Sequence, residues 1–241
     1  MLQCLILAGG LGTRMRPQTE LIPKALIPVR GKPFAFWQLE WLASQEVERV
    51  VYSVGHLGHM VEEYVGNGAA WGIDVRYVSE GPELLGTGGA IRLALNKGAT
   101  DEEFFVLYGD SYLTLDLSDV EAAFRKSGLP ALMTVYRNDG MWDRSNVIYR
   151  DHRIVLYQKS AEPPPDMHHI DYGLSILSAE IVREYVPANR PSDIAPVYSQ
   201  LSSQGRLAAY EAQRRFYEVG SPEGLADLEL ALGNPGNDFT R

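Results

Sequence analysis

The sequence contains almost no cysteine. Its 241 residues include a single one, Cys4, so no intramolecular disulfide can form. Cys4 lies in an apolar run near the start of the chain, and we expect it to be a buried core residue rather than a nucleophile. A domain of this length can bury roughly 70% of the surface of its unfolded chain, so its stability requires neither a disulfide nor a structural metal.

Basic stripes and long hydrophobic runs are also missing. The net charge is −9 and the pI about 5.1, so we expect no nucleic-acid partner. No apolar run approaches the roughly 20 residues of a membrane helix, and the N-terminus lacks the basic region and cleavage site of a signal peptide. We therefore expect a cytoplasmic protein with no membrane partner. An anionic small substrate is compatible with this acidity, because a few cations and backbone amides suffice to bind phosphate.

The first half of the sequence alternates between strand and helix patterns. A short apolar run at 2–8 leads directly into Gly9-Gly10-Leu11-Gly12, which is typical of a central parallel strand that ends in a ligand loop. Further strands are predicted at 49–54, 75–78 and 104–108, and helices at 34–45, 56–65 and 86–95. This alternation predicts an α/β fold with a doubly wound, mixed but mainly parallel sheet.

The second half is richer in strand patterns. Strands are predicted at 131–137, 145–149, 154–158, 172–177, 207–210 and 216–219, and helices at 179–185 and 222–232. Ser221 is well placed as the N-cap of the last helix, and the glycine-rich tail at 233–241 is expected to fray. This half predicts a small β-rich elaboration of the first.

The glycine turn after the first strand predicts a polyphosphate site. Gly9, Gly10 and Gly12 let the backbone approach a polyphosphate closely and present several N–H groups to its oxygens. Arg14 adds a permanently charged planar fork, and Lys24 follows a loop that can direct it back to the same anion. The glycine spacing matches neither the Walker pattern nor the dinucleotide fingerprint. The alternative is a glycine turn that merely joins a strand to a helix.

A second glycine cluster, Gly86-Thr87-Gly88-Gly89, opens the third predicted helix. Small residues there would give a nucleobase a flat surface, although close packing of helix on sheet also selects glycine. Glu80 and Glu83 precede the cluster. A carboxylate accepts hydrogen bonds from the N1–H and 2-amino groups of guanine, so either residue could select that base, and the alternative is that both are solvated loop charges.

Asp110 is a candidate metal ligand because it follows a β-rich run. A carboxylate at the carboxyl end of a parallel strand lies on the ligand face of the sheet, where Mg²⁺ could bridge it to a phosphate; the alternative is an ordinary turn residue. His56 and His59 lack the further ligands of a zinc site, and we expect them to flank a helix near the nucleotide. His168 and His169 are expected in the loop after the prolines.

Two strings resemble a known family. LAGGLGTRMRP followed by IPKALIPV resembles the signature of the sugar-1-phosphate nucleotidyltransferases, and LLGTGGAIRLAL resembles the bacterial guanylyltransferases that act on D-glycero-D-manno-heptose 1-phosphate or mannose 1-phosphate. The resemblance implies a Rossmann-like, GT-A-like fold. It also implies transfer of a nucleoside monophosphate from an NTP to a sugar 1-phosphate, with Mg²⁺ as cofactor. The family often forms dimers or tetramers, which leaves a homo-oligomer open.

The resemblance assigns roles to individual residues. The expected catalytic residues are Arg14, Lys24 and Asp110. The expected nucleotide-binding residues are Leu7, Ala8, Gly9, Gly10, Gly12, Thr13, Arg14, Glu80, Gly86, Thr87 and Gly88. The expected sugar-phosphate-binding residues are Asn146, Lys159, Asp171 and Gly173. The expected metal ligands are Asp110 and Glu218.

The chain departs from the family pattern at several of these positions. Glu218 stands where the family has aspartate, which puts the geometry of the second metal ligand in doubt. In Gln158-Lys159-Ser160 the glutamine replaces a glutamate, and Asp171 replaces an asparagine, so a non-standard sugar is plausible. Ala25 and Met15 replace a proline and a leucine without removing a charge.

The resemblance also suggests an organisation and several alternatives. We expect one domain at 1–232, with a nucleotide-binding part at about 1–112, a sugar-phosphate part at about 113–220 and a C-terminal helix at 221–232. GTP is the preferred nucleotide. The alternatives are uridylyl, cytidylyl or thymidylyl transfer to another sugar 1-phosphate, a phosphocholine cytidylyltransferase, and a non-catalytic paralogue that binds nucleotide sugar. Retention of Arg14, Lys24 and Asp110 argues against the paralogue, which only Glu218 supports.

Overall fold

The computed structural model describes residues 1–81, 83–159 and 162–233 of the chain. Its α-helices, numbered α1 to α7 in chain order, lie at Phe34–Ser44, Gly58–Val65, Gly86–Asn96, Leu117–Ser127, Ala179–Tyr185, Ala195–Ser203 and Pro222–Gly233. Its strands, numbered β1 to β13, lie at Gln3–Ala8, Pro28–Val29, Lys32–Pro33, Arg49–Val54, Asp74–Ser79, Glu103–Tyr108, Ser111–Tyr112, Ala131–Arg137, Val147–Arg150, Arg153–Tyr157, His169–Ser178, Leu207–Ala212 and Tyr217–Glu218. Within these ranges no helix has the length and apolar character needed to span a membrane. The predicted frayed tail from 234 onward and Ser160 lie outside the described residues.

Nine strands form one sheet in the order β5-β4-β1-β6-β11-β8-β12-β10-β9. The pairs β4–β5, β1–β4, β1–β6 and β8–β12 are parallel, whereas β11 runs antiparallel to its neighbours β6 and β8. The prediction of an α/β fold with a mixed sheet is therefore confirmed, but in the described residues four of the eight neighbouring pairs are antiparallel, so the sheet is parallel mainly in its first half. Strands β8 to β12 extend this same sheet, so the β-rich second half continues the first rather than forming a layer of its own.

The central strand β1 is covered on both faces. Cys4 and Ile6 pack in one hydrophobic cluster with Phe34 of α1, whereas Leu5 packs in a second cluster with Ile91 of α3. Because successive side chains of a strand point to opposite faces, the continuous apolar run of β1 supplies both clusters. Cys4 is fully buried, as expected, and burial raises the pKa of its thiol.

Several elements differ from the prediction. The second helix begins at Gly58 rather than at 56, because Leu57 adopts a left-handed conformation and the Gly58 N–H closes a turn to the Gly55 carbonyl. His169 lies in β11 and not in the loop after the prolines, and its Nε2 is 3.0 Å from Glu211 Oε1. The helices α4 and α6 have no counterpart in the prediction.

The register of β1 and β6 brings two loops together. Leu7 pairs with Tyr108, and the Gly109 N–H donates a hydrogen bond of 3.0 Å to the Leu7 carbonyl. A Cβ at Gly109 would overlap that carbonyl, so this close approach requires glycine. The glycine turn after β1 and Asp110 after β6 therefore meet at the carboxyl edge of the parallel strands, where α/β sheets bind ligands.

Candidate active site

A cavity of about 900 Å³ opens at this edge of the sheet. Most of the residues that the sequence predicts for a site line it. They are Leu7, Ala8, Gly9, Gly10, Arg14, Lys24, Glu80, Gly86, Thr87, Asp110, Asn146, Lys159, Asp171, Gly173 and Glu218. Gly12, Thr13 and Gly88 do not line it.

The first glycine turn packs tightly against its neighbours. A Cβ at Gly9 would overlap the Glu80 carboxylate, and a Cβ at Gly12, whose φ is +62°, would lie 2.8 Å from the Thr19 methyl group. The Thr19 hydroxyl donates a hydrogen bond of 2.8 Å to the Gly12 carbonyl. Thr13 is exposed and begins a short 3-10 turn. Gly12 therefore shapes the turn from outside the cavity, whereas Gly9 and Gly10 present backbone to it.

Lys24 and Asp110 form an ion pair in the floor of the cavity. The Lys24 Nζ lies 2.7 Å from Asp110 Oδ2, and both side chains are about one quarter exposed. Lys24 starts a 3-10 turn after Pro23, while Asp110 lies between β6 and β7. Residues far apart in the sequence thus place a cation and a carboxylate at the same point.

A second carboxylate reaches the same place from the end of the chain. Strand β13 pairs with β7, which puts Glu218 opposite Ser111, and the Val219 N–H donates a hydrogen bond of 2.9 Å to the Asp110 carbonyl. Arg14, Asp110 and Glu218 each have a side-chain atom within 3.0 Å of the point where a Cβ on Gly220 would lie. Two carboxylates and two cations, Lys24 included, therefore surround a small region of the cavity.

The donor set suits a hard divalent cation. Mg²⁺ is usually held by one or two carboxylates, with phosphate and water oxygens completing its coordination, and Asp110 and Glu218 supply that number. The described residues contain no group of three or more histidine, cysteine, aspartate or glutamate side chains that could hold a metal without a substrate. The Glu218 carboxylate accepts hydrogen bonds from the Gly220 N–H and the Ser221 hydroxyl at the start of α7. Ser221 also caps α7 as predicted, because its Oγ accepts from the Gly224 N–H at 3.1 Å.

The second glycine cluster is used differently from the prediction. The N–H groups of Gly88 and Gly89 both donate to the Ser192 carbonyl, at 2.9 and 3.1 Å. A Cβ at Gly88 would come within about 3 Å of Ser192 and Asp193. Gly88 therefore packs α3 against the loop before α6, and its amide is not available to a nucleobase. Gly86 and Thr87 do line the cavity.

Glu80 lies at the cavity wall between the two glycine turns. Its Oε2 accepts a hydrogen bond of 2.6 Å from the Leu85 N–H, and its Oε1 faces the Cα of Gly9. Burial raises the pKa of this carboxyl, and the hydrogen bond from Leu85 opposes the shift. Glu83, the other candidate for base recognition, does not line the cavity.

The four predicted sugar-phosphate residues also line the cavity, and hydrogen bonds link three of them. The Asn146 side chain accepts from the Asp171 N–H at 2.9 Å, and the Asp171 carboxylate accepts from the Gly173 N–H at 3.0 Å and the Tyr108 hydroxyl at 3.2 Å. The pairing of β11 with β8 shifts register between Asp171 and Ser175, and Gly173 there has a φ of +98°. Burial raises the pKa of Asp171, while the Gly173 N–H, the Lys159 ammonium and the Tyr108 hydroxyl act in the opposite direction.

Several residues of the cavity wall are not predicted from the sequence. Tyr108, Trp142, Asp143 and Arg215 all line it. Tyr108 belongs to a buried strand, so its pattern predicts core. Trp142 is the one aromatic residue in a polar loop between two strands, which is a signal that could have been followed.

Comparison with known proteins finds a matching family and several similar enzymes. A sequence model of the nucleotidyl transferase family matches residues 3–141. A D-glycero-alpha-D-manno-heptose 1-phosphate guanylyltransferase of Campylobacter jejuni is 37% identical over 184 residues, covering 76% of this chain and 79% of that enzyme. An N-acetylmuramate alpha-1-phosphate uridylyltransferase of Neisseria meningitidis is 36% identical over 237 residues, covering 96% and 99%. The chain spans only about half (53%) of a UTP–glucose-1-phosphate uridylyltransferase of Synechocystis, to which it is 29% identical.

Solved structures show the same fold. The crystal structure of HddC from Yersinia pseudotuberculosis complexed with GMP-PN superposes with a TM-score of 0.80 at 26% identity. The superposition covers 96% of this chain and 100% of that one.

Proposed function

The chain belongs to the nucleotidyl transferase family, and we propose that it transfers a nucleoside monophosphate from an NTP to a sugar 1-phosphate and releases pyrophosphate. The observation that carries this proposal is the meeting of Arg14, Lys24, Asp110 and Glu218 beside the glycine turn, in a cavity that continues to Lys159. The nucleotide would occupy the part built by 1–112 and the sugar phosphate the part built by 113–220, with the helix at 221–232 behind Glu218.

The chemistry requires charge neutralisation more than proton transfer. The 1-phosphate oxygen of the sugar is already an anion near neutral pH, so it can attack the α-phosphorus of the NTP without a general base. As the new P–O bond forms, the bond between the α- and β-phosphates breaks and pyrophosphate leaves. Arg14, Lys24 and the amides of the glycine turn would orient the phosphates and offset their charge. Asp110 and Glu218 would hold Mg²⁺, which supplies further neutralisation when bound.

We propose GTP as the nucleotide and a heptose or mannose 1-phosphate as the acceptor. Glu80 supports the choice of base, because its carboxylate lies at the cavity wall where it can accept hydrogen bonds from the N1–H and 2-amino groups of guanine. The guanylyltransferase of Campylobacter and the GMP-PN complex of HddC support it by similarity.

A pyrophosphate-release screen tests both the proposed reaction and the proposed choice of nucleotide and sugar. Five NTPs (GTP, ATP, UTP, CTP and dTTP) are each combined with Mg²⁺ and a panel of sugar 1-phosphates, with phosphocholine as a further acceptor. We expect release with GTP and a heptose or mannose 1-phosphate, and a loss of at least two orders of magnitude in Lys24→Ala and Asp110→Ala that still fold. Release with another pair would correct the specificity, and no release with any pair would reject the activity.

A further inference from the structure

The loop at 139–145, between β8 and β9, brings an aromatic ring to the sugar end of the cavity. Trp142 lines the cavity together with Asp143, Asn146 and Lys159, and 46% of its surface is exposed. Among the cavity residues that the structure describes, it is the one tryptophan. A ligand bound in the cavity could therefore contact this indole.

The loop that carries Trp142 is held in place from inside the protein. Asn138 is fully buried; its amide group donates a hydrogen bond of 2.5 Å to the Asp143 carbonyl and accepts one of 3.2 Å from the Trp142 N–H. The Asn138 backbone N–H donates to the His168 carbonyl at 2.9 Å. A single buried amide thus fixes the backbone on both sides of the indole.

The indole is also fixed by a cation from a distant segment. The guanidinium carbon of Arg215 lies 3.5 Å from the centre of the Trp142 ring and 4.7 Å from the ring of Tyr217. Arg215 is itself positioned, since it donates to the Asp227 carboxylate at 3.0 Å and to the Phe216 carbonyl at 3.2 Å. Stacking of a guanidinium on indole is favourable and covers one face of the ring.

The charges around this ring restrict what can pack against it. Asp227 offsets the charge of Arg215, and Lys159 is the cation placed to meet the 1-phosphate. Asp143 and Asn146, which follow Trp142 in the cavity wall, and Asp171, whose N–H donates to the Asn146 side chain, are rich in hydrogen-bond acceptors. Such a wall suits hydroxyl groups, which donate hydrogen bonds, and disfavours a carboxylate, which would add an uncompensated negative charge.

We propose that Trp142, held by Arg215, is the platform on which the sugar ring of the substrate packs, and that the acceptor-rich wall beside it selects an uncharged, hydroxyl-rich sugar over one that carries a carboxylate. The C–H face of a pyranose is apolar and matches the area of an indole, while its hydroxyl edge turns to the acceptors. This inference rests on the proposed transfer to a sugar 1-phosphate.

Steady-state kinetics of Trp142→Ala and Trp142→Phe test the platform. We expect the KM for the sugar 1-phosphate to rise at least tenfold in Trp142→Ala and to stay close to the wild-type value in Trp142→Phe. The KM for the NTP should change less than twofold in both variants. Trp71→Phe, which alters an aromatic residue away from the cavity, is the matched control and should change neither constant. An unchanged sugar KM in Trp142→Ala, an equal rise in the NTP KM, or no recovery in Trp142→Phe would overturn the assignment.

Selectivity is tested with mannose 1-phosphate, an acceptor of the proposed function, against mannuronate 1-phosphate, the same sugar with a carboxylate at C6. We expect kcat/KM to favour the uncharged sugar at least tenfold, and a preference for the carboxylate would overturn the proposed selection. Titration of wild-type and Trp142→Phe protein with each sugar phosphate, followed by tryptophan emission, adds a readout that needs no turnover. Turnover of no sugar 1-phosphate with any NTP rejects the proposed function itself, whereas turnover without a role for Trp142 rejects only this inference.

Discussion

The ion pair between Lys24 and Asp110 should lower the affinity of the protein for a divalent metal ion in the absence of nucleotide. Lys24 Nζ lies against Asp110 Oδ2, on a carboxylate that we propose as a ligand of Mg²⁺. A divalent cation must therefore displace the lysine before it can use that oxygen. Removing the ammonium with Lys24→Met should strengthen metal binding, although the same change removes a group that we expect turnover to need.

The size of the effect follows from the geometry of the pair. A hydrogen bond to a charged group contributes about 1.5–3 kcal/mol, and this one is short, at 2.7 Å, between side chains only about one quarter exposed. Since each 1.4 kcal/mol is a factor of about ten, we expect Lys24→Met to bind Mn²⁺ or Mg²⁺ roughly 10- to 100-fold more tightly than the wild type. Loss of the repulsion between two cations acts in the same direction.

The assay is titration of the nucleotide-free protein with Mn²⁺, with free metal followed by electron paramagnetic resonance. Lys32→Met serves as the matched control, because Lys32 lies over the Phe36 ring outside the cavity. Asp110→Asn should lose the metal in both the wild-type and the Lys24→Met background. Equal metal affinity of Lys24→Met and wild type would refute the displacement argument.

Two further predictions concern the walls of the cavity. Because burial raises the pKa of Asp171, ionisation of its carboxyl destabilises the fold, and stability is lost as the pH rises through the raised pKa. Asp171→Asn should therefore raise the melting temperature at pH 8, and this increase should shrink towards pH 4. A difference in melting temperature that does not depend on pH would contradict this prediction. A Cβ at Gly9 would displace the Glu80 carboxylate from the Leu85 N–H, so Gly9→Ala should cost about 1–2 kcal/mol in urea unfolding. The matched Gly10→Ala, whose Cβ meets nothing within 4 Å, should cost much less, and equal losses would contradict the argument.

The meeting of the glycine turn with Asp110 follows from local sequence patterns. A continuous apolar run predicts a central strand, and two neighbouring parallel strands necessarily end at the same edge of the sheet, so Gly9 and Asp110 could be brought together from the sequence. Helix α3 begins where the glycine cluster predicts it, at Gly86. What the pattern could not show is that the Gly88 amide is taken by Ser192, because that contact joins segments about a hundred residues apart.

The two helices that the sequence analysis does not predict, α4 and α6, differ in how much local signal they carry. Helix α4 has an aspartate N-cap, Asp116, and buries Leu117, Val120 and Phe124 at helical spacing, so its signals were available. Helix α6 is rich in serine with a proline in its first turn, and such a composition carries little intrinsic helix preference. Packing of the residues that it buries stabilises it instead, as tertiary contacts do for most helices.

The two-residue pairing of β7 with β13 has a consequence for how the cavity forms during folding. Glu218 and the Val219 N–H reach Asp110 only when β13 pairs with β7, about a hundred residues earlier in the chain. A nascent chain that stops short of β13 could form the parallel strands and the glycine turn, and could contact phosphate, yet it would hold one carboxylate instead of two. Both carboxylates therefore face the same region of the cavity only once residues 217–219 are present and paired with β7.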